Sequence, residues 1–233
     1  MEQGNLARRS FLAVTAASAA IALGVPQIAH STAEPWSLGA DKAFADEETP
    51  ERSKKSYGML IDARKCTGCG ACLSACHRQN NLKDGMDFIR FESHRQIHAN
   101  GSYLQTVPLQ CMHCEDAPCA SVCPTKATYI KDDGVVAIDQ QRCIGCKYCM
   151  AACPFEARVY DEEEGTVDKC RLCASRAEES NELMITCVQA CINGVRIFGD
   201  LNDPESELCG AISRTGATPL GEELAHAKIY YVG

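Results

Sequence analysis

The sequence predicts an α+β fold made of two tandem modules with an internal repeat, and three observations carry that prediction. Sixteen of the 17 cysteines fall into four runs of four. A short apolar strand ending in Asp leads into a run twice, as Met59-Leu60-Ile61-Asp62 before Cys66 and Val135-Val136-Ala137-Ile138-Asp139 before Cys143. The last cysteine of a run is followed by a turn and another strand, at residues 124–130, 154–160 and 192–198. Self-similarity of this kind marks a repeated supersecondary unit.

The spacing within the runs explains the unit. The first is Cys66-x2-Cys69-x2-Cys72-x3-Cys76, and the second is Cys111-x2-Cys114-x4-Cys119-x3-Cys123-Pro124. The third, Cys143-x2-Cys146-x2-Cys149-x3-Cys153-Pro154, has the spacing of bacterial two-cluster iron–sulfur proteins. The fourth is stretched, Cys170-x2-Cys173-x13-Cys187-x3-Cys191. In C-x2-C-x2-C the backbone curls round a cube, so that three sulfurs reach three irons. The fourth cysteine, about a helical turn further on, ligates the neighbouring cube. Four thiolates per [4Fe–4S] cube give four cubes and one spare thiol, Cys209. Zinc sites also use paired C-x2-C but rarely the added x2-C-x3-C-P continuation. Disulfides fit abundant cysteine in an exported protein, yet not such close spacing. The expected fold is thus a tandem of bacterial-ferredoxin-like modules with a pseudo-twofold internal repeat, nucleated by its clusters, with an insertion and a C-terminal tail.

Composition agrees. With 6% aromatic residues and one Trp, the apolar core is thin, and cysteine ligation replaces part of the missing burial. A net charge of −8 speaks against a nucleic-acid partner, which needs basic surface.

Residues 1–33 read as a twin-arginine signal peptide. Arg8-Arg9-Ser10-Phe11-Leu12 opens an apolar stretch from Phe11 to Val25, and Ser31-Thr32-Ala33 offers a cleavage site before Glu34. As a membrane anchor that stretch is short of the ~20 residues a span needs. Whether the signal is removed stays open. Loss of Arg8, Arg9 and Glu2 would take away one net positive charge, from −8 to −9. Twin-arginine export carries folded proteins, so cubes could be inserted in a reducing cytoplasm before the chain meets an oxidising compartment. The expected location is the periplasm or the outer face of the cytoplasmic membrane.

Residues 34–56 are polar, carry two prolines and read as a linker, with the ordered body starting at Tyr57. Residues 57–200 form the four-cluster domain, with hairpin turns at Asp133-Gly134 and Glu164-Gly165. Within it, residues 77–110 are an insertion holding a hairpin about Asn100-Gly101, between Phe88–Phe91 and Tyr103–Val107. Residues 201–233 are a tail for partner docking. Its helix should start at Asp203-Pro204-Glu205 and end near Gly216, and a strand from Lys228 to Val232 closes the chain. Cys209, between Leu208 and Ile212, is expected as a buried small apolar residue. No long apolar segment follows the signal, so no transmembrane helix is expected in the mature chain.

With the four runs placed, residues 57–200 resemble the four-cluster ferredoxin-type electron-transfer subunits of the molybdopterin (dimethyl sulfoxide reductase-like) oxidoreductases. Relatives in that group serve tetrathionate, polysulfide and nitrite reductases. The resemblance includes the wide gap in run two, the long gap in run four, and Gly199-Asp200-Leu201-Asn202-Asp203-Pro204 after the last strand. It implies that runs one and four share two cubes and runs two and three the other two. The ligand sets would be Cys66, Cys69, Cys72 with Cys191; Cys170, Cys173, Cys187 with Cys76; Cys111, Cys114, Cys119 with Cys153; and Cys143, Cys146, Cys149 with Cys123. No ligand position is missing, so four [4Fe–4S] clusters are expected. It also implies partners: a molybdopterin catalytic subunit or multihaem cytochrome, and a quinone-interacting membrane subunit.

No catalytic residue is expected in this chain. A catalytic cluster generally needs an iron free of cysteine, every run is complete, and no triad, phosphate loop or dinucleotide fingerprint appears. A free-standing exported polyferredoxin shuttle is the alternative, although it would need neither insertion nor tail. Lys65, Arg142 and Lys169 each precede the first cysteine of a run, and are read either as groups that raise a cube's potential or dock a partner, or as solvated loop residues. His77 and His113 lie among the ligands, but with four thiolates per run neither is expected to bind iron.

Overall fold

The structure is a computed structural model that describes residues 55–98, 101–173 and 185–233. The expected signal peptide, nearly all of the linker, the Asn100 corner and most of the gap in run four lie outside the described residues.

The chain opens with β1 (Tyr57–Asp62) and a 3-10 turn (Ala63–Lys65), then α1 (Ala71–Asn80). The hairpin β2 (Arg90–His98) and β3 (Gly101–Leu109) follows. Next come α2 (Pro118–Ser121), β4 (Thr128–Ile130), β5 (Val136–Ile138) and α3 (Tyr148–Ala151). After β6 (Val159–Asp161) and β7 (Thr166–Asp168) stand α4 (Thr186–Gln189) and β8 (Arg196–Asp200). The tail holds α5 (Glu207–Thr215), β9 (Thr218–Pro219), α6 (Glu222–Ala225) and β10 (Ile229–Val232).

Four strands form one sheet in the order β8-β1-β10-β9, with β1 antiparallel to β8 and parallel to β10. The uninterrupted apolar run of β1 now has a cause, since both faces of the sheet are covered. Met59 and Ile61 point into the large core that contains most of the cysteines, whereas Leu60 points into a smaller core with Leu208, Ala211, Ala217 and Val232. Strand periodicity of two sorts them. The two expected hairpin turns join β4 to β5 and β6 to β7.

The insertion hairpin runs longer than expected, in register from Arg90 opposite Leu109 to His98 opposite Gly101. It is tied to the loop after run three, where Arg90 Nη1 donates to the carbonyls of Phe155 (2.7 Å) and Glu156 (3.2 Å). Nearby, Lys83 Nζ pairs with Asp161 (2.9 Å) and Glu163 (2.8 Å).

The tail differs in two respects from its sequence reading. Its helix starts one turn later than Asp203, because Ser206 is the N-cap and its Oγ accepts from Cys209 N–H at 3.2 Å. Asp203 instead closes a tight turn, accepting at Oδ1 from Glu205 N–H and through its carbonyl from Ser206 N–H. Ser is as good a cap as Asp. Cys209 is half-buried rather than buried, with Sγ 3.6 Å from the Leu201 carbonyl oxygen. More consequential, β10 lies inside the sheet, with Ile229 fully buried beside Met59. The tail completes the sheet on which run one begins.

Ile229→Ala should therefore cost about 2–5 kcal/mol, as large-to-small changes in a closed core do. The check is a lower midpoint of denaturant unfolding, followed by loss of visible absorbance. An unchanged midpoint would show that β10 does not hold the sheet.

Candidate iron–sulfur centres

Each run builds the same local device. The third cysteine is the second residue of a helix: Cys72 in α1, Cys119 in α2, Cys149 in α3 and Cys187 in α4. The fourth cysteine lies four residues on, inside the helix in run one and just past its end in the other three, a displacement of roughly one helical turn. That displacement takes it to a different cavity. Cys72 faces a cavity lined by Cys66, Cys69 and Cys191, whereas Cys76 faces one lined by Cys170, Cys173 and Cys187. Likewise Cys123 joins Cys143, Cys146 and Cys149 around a third cavity. The remaining four, Cys111, Cys114, Cys119 and Cys153, lie close enough that the other three all act on Cys114. All sixteen cysteines of the four runs are thus gathered into four cages, named below by the run supplying three members. The helices pack accordingly, α1 on α4 and α2 on α3.

The loop between paired cysteines is shaped by glycine. Gly145 has φ +64°, and a Cβ there would collide with the Gly165 carbonyl oxygen in the β6–β7 turn. Glycine is the residue that meets both demands.

The donor set fits a cubane better than the rivals. All 17 cysteines are unpaired. Among the described residues no three His, Cys, Asp or Glu side chains converge on a site for a single ion, as zinc would require. The thiols instead stand round hollows with empty space of about 350, 320 and 310 Å³, part of it open to solvent. Backbone N–H groups point at cage sulfurs, from Thr128 to Cys123 (3.5 Å), Val167 to Cys143 (3.5 Å) and Val195 to Cys191 (3.4 Å). Such bonds favour thiolate.

Electrostatics orders the cages. Burial pushes the Cys76 thiol up to about 12, helped by Cys187 and Cys173, and Cys114 likewise up to about 12. For Cys123 partial burial is outweighed by hydrogen bonds from Thr128 and Thr125, which hold its thiol below the ordinary value. Between cages, Cys72 acts on Cys187, Cys111 on Cys170, and Cys119 on Cys149. The succession is therefore first, fourth, second, third. The two outer cages reach the surface, with Cys69 and Cys146 exposed, while Cys170 and Cys187 in the fourth and Cys111, Cys114 and Cys119 in the second are buried.

The basic residues before the runs fare differently. Lys65 is more than half exposed and pairs with Asp62 at 3.5 Å; Arg142 is exposed and donates to the Thr125 carbonyl at 2.9 Å. Lys169 is 1% exposed, and its Nζ donates to the carbonyls of Val136 and Cys170. His77 is held by Asp87 at 2.6 Å. His113 is wholly buried and accepts at Nδ1 from Val136 N–H, and burial with Lys169 and Lys228 nearby keeps the ring neutral. Two residues escaped the sequence reading. Arg158 and Arg196 are buried against the cages, and the cue was their shared position, five residues after the last cysteine of runs three and four.

Comparison with known proteins gives a consistent answer. Residues 65–127 and 102–201 each match a 4Fe-4S dicluster domain family. A tetrathionate reductase subunit of Salmonella typhimurium is 41% identical over 167 residues, 69% of this chain and 66% of that one. A polysulfide reductase polypeptide of Wolinella succinogenes is 36% identical, over 66% of this chain and 81% of its own. The Hdr-like menaquinol oxidoreductase iron–sulfur subunit 1 of Archaeoglobus fulgidus is 32% identical, over 87% of this chain and 88% of its own. Likeness at that level along nearly the whole of both chains is common descent, and the protein belongs to the family of ferredoxin-type iron–sulfur subunits of the dimethyl sulfoxide, tetrathionate and polysulfide reductase group.

Proposed function

We propose that the chain is a non-catalytic electron-transfer subunit that carries four [4Fe–4S] clusters in line. The observation that carries this reading is the succession of cages, buried in the middle and open at both ends. Each bound cube supplies one-electron redox chemistry. Cys66, Cys69, Cys72 and Cys191 hold the first; Cys170, Cys173, Cys187 and Cys76 the fourth; Cys111, Cys114, Cys119 and Cys153 the second; Cys143, Cys146, Cys149 and Cys123 the third. The crossed pairing of runs one with four and two with three makes two equivalent modules related by a pseudo-twofold axis. The protein's own work is to space the cages, keep water from the inner two, and present the outer two to partners.

One relative is named as the electron transfer subunit of thiosulfate reductase, and others are named as single subunits of tetrathionate and polysulfide reductases. On that basis this chain links a quinone-interacting membrane subunit to a catalytic subunit, a molybdopterin enzyme, in anaerobic respiration. Among the described residues no helix is long and apolar enough to cross a membrane, so membrane attachment falls to the partner. Residues 1–33 act as a twin-arginine signal and residues 34–56 as a linker, which puts the complex on the outer side of the cytoplasmic membrane. The faces left for docking are the insertion hairpin, with Ile97 and Leu104 exposed, and the tail, with Leu224 exposed.

Anaerobically purified protein should be brown and carry about sixteen irons per chain. Colourless protein holding zinc would end the reading. The crossed ligation is checked by paramagnetic resonance of reduced Cys→Ser variants. Cys123→Ser should alter the same centre as Cys146→Ser and a different one from Cys111→Ser; a shared effect with Cys111→Ser would refute the crossing. Replacement of Arg8 and Arg9 by Lys should leave folded, brown protein in the cytoplasm on cell fractionation, and undiminished export would rule out the twin-arginine route.

A further inference from the structure

Two buried arginines occupy equivalent places in the repeat. Arg158 follows Cys153 by five residues, and Arg196 follows Cys191 by five. They are 6% and 3% exposed. Each lines the cavity of an outer cage: Arg158 that of the third, Arg196 that of the first. Each also reaches inward. The cysteines coupled to Arg158 are Cys119 and Cys111 of the second cage and Cys149 of the third. Those coupled to Arg196 are Cys187 and Cys170 of the fourth and Cys72 of the first, with the Tyr231 hydroxyl also beside it. One guanidinium thus stands at each gap between an outer and an inner cage.

Their hydrogen bonding is conspicuously incomplete. Arg158 Nη1 donates to Thr128 Oγ1 at 3.3 Å, and Arg196 Nη1 to Gln110 Oε1 at 2.5 Å and Met59 Sδ at 3.5 Å. These acceptors are neutral, and the other groups within hydrogen-bonding reach of Arg158 are the cage thiols Cys119 and Cys149. In both residues Nη2 is buried with no protein acceptor among the described residues. Thr128 is itself the fifth residue after Cys123, so the equivalent positions of runs two and three meet. A buried, permanently charged group without a carboxylate and with a spare N–H needs an anion to offset its desolvation. Lys169, in the gap between the fourth and second cages, is unlike them, because its ammonium is met by two backbone carbonyls.

We propose that Arg158 and Arg196 are shared counter-charges for the cubes, each raising the reduction potentials of the two centres it separates and matching them for transfer between them. The spare N–H finds its acceptor in the sulfur of the loaded cages. The sign follows from charge: a thiolate-ligated cube is anionic, reduction adds one electron, and a fixed cation in low dielectric favours the more negative state. Both are positioning residues, since the thiolates alone ligate iron. The inference rests on the four-cage reading.

The test is a redox titration of the purified holoprotein followed by paramagnetic resonance, with centres assigned through the cysteine variants above. Arg158→Gln should lower the potentials of the second and third centres by at least tenfold in the reduction equilibrium, about 59 mV for a one-electron couple, and leave the other two in place. Arg196→Gln should do the same to the first and fourth. The Lys variants, which keep a charge but move it, should shift the same pairs by less. Where a Gln variant fails to load iron, the Lys variant decides: a smaller downward shift confined to its pair upholds the proposal. Unmoved potentials, a shift of all four alike, or loss of iron in the Lys variants as well would overturn it. Wild-type protein holding fewer than four cubes would instead overturn the four-cage reading, a result separable by iron content alone.

Discussion

One short helix per run sets the architecture. The helix carries the third cysteine and the fourth follows four residues on, about one turn away, so neighbouring thiols reach different cavities. No run can then complete its own cage, and each must find a partner run. The packing of α1 on α4 and of α2 on α3 is the visible result. Run four lies far from run one in sequence, so their union draws β1 and β8 side by side, and β10 enters next to β1 to finish the sheet. Long-range topology here descends from a local spacing of x3.

The same constraint governs the core. Cysteines make up much of the main buried cluster, interleaved with Met59, Ile61, Phe88, Ile89, Val135 and Ile229. A chain so poor in aromatic residues has little other apolar volume to bury. A core of thiolates is nevertheless electrostatically unfavourable without compensation, as the raised values of Cys76, Cys114 and Cys187 illustrate. Iron supplies the main compensation when bound. Backbone N–H groups and the buried cations Arg158, Lys169 and Arg196 supply the rest, and they are fixed by the fold before any metal is counted.

Much of this was readable from residue order, because the chemistry of the site is local. The four runs, the short helices within them, the strands at Met59 and Val135, and the turns at Asp133-Gly134 and Glu164-Gly165 all rest on contacts within a few residues. The insertion hairpin was visible for the same reason, through Asn100-Gly101. What went astray depended on a choice between near-equal local signals, as where Ser206 rather than Asp203 caps α5. Lys65, Arg142 and Lys169 occupy like positions in their runs, yet only Lys169 is enclosed, and nothing in their neighbours foretells it.

Residue order by itself determined the identity and grouping of the thiols, and through them the cofactor class, since a cubane-binding loop needs only a handful of consecutive residues. Tertiary structure alone decided the sequence of the cages, which of them meet solvent, and which cations lie between them. Those properties belong to distances across the fold, where a strand from the far end of the chain and an arginine beyond the motif count as much as the motif itself.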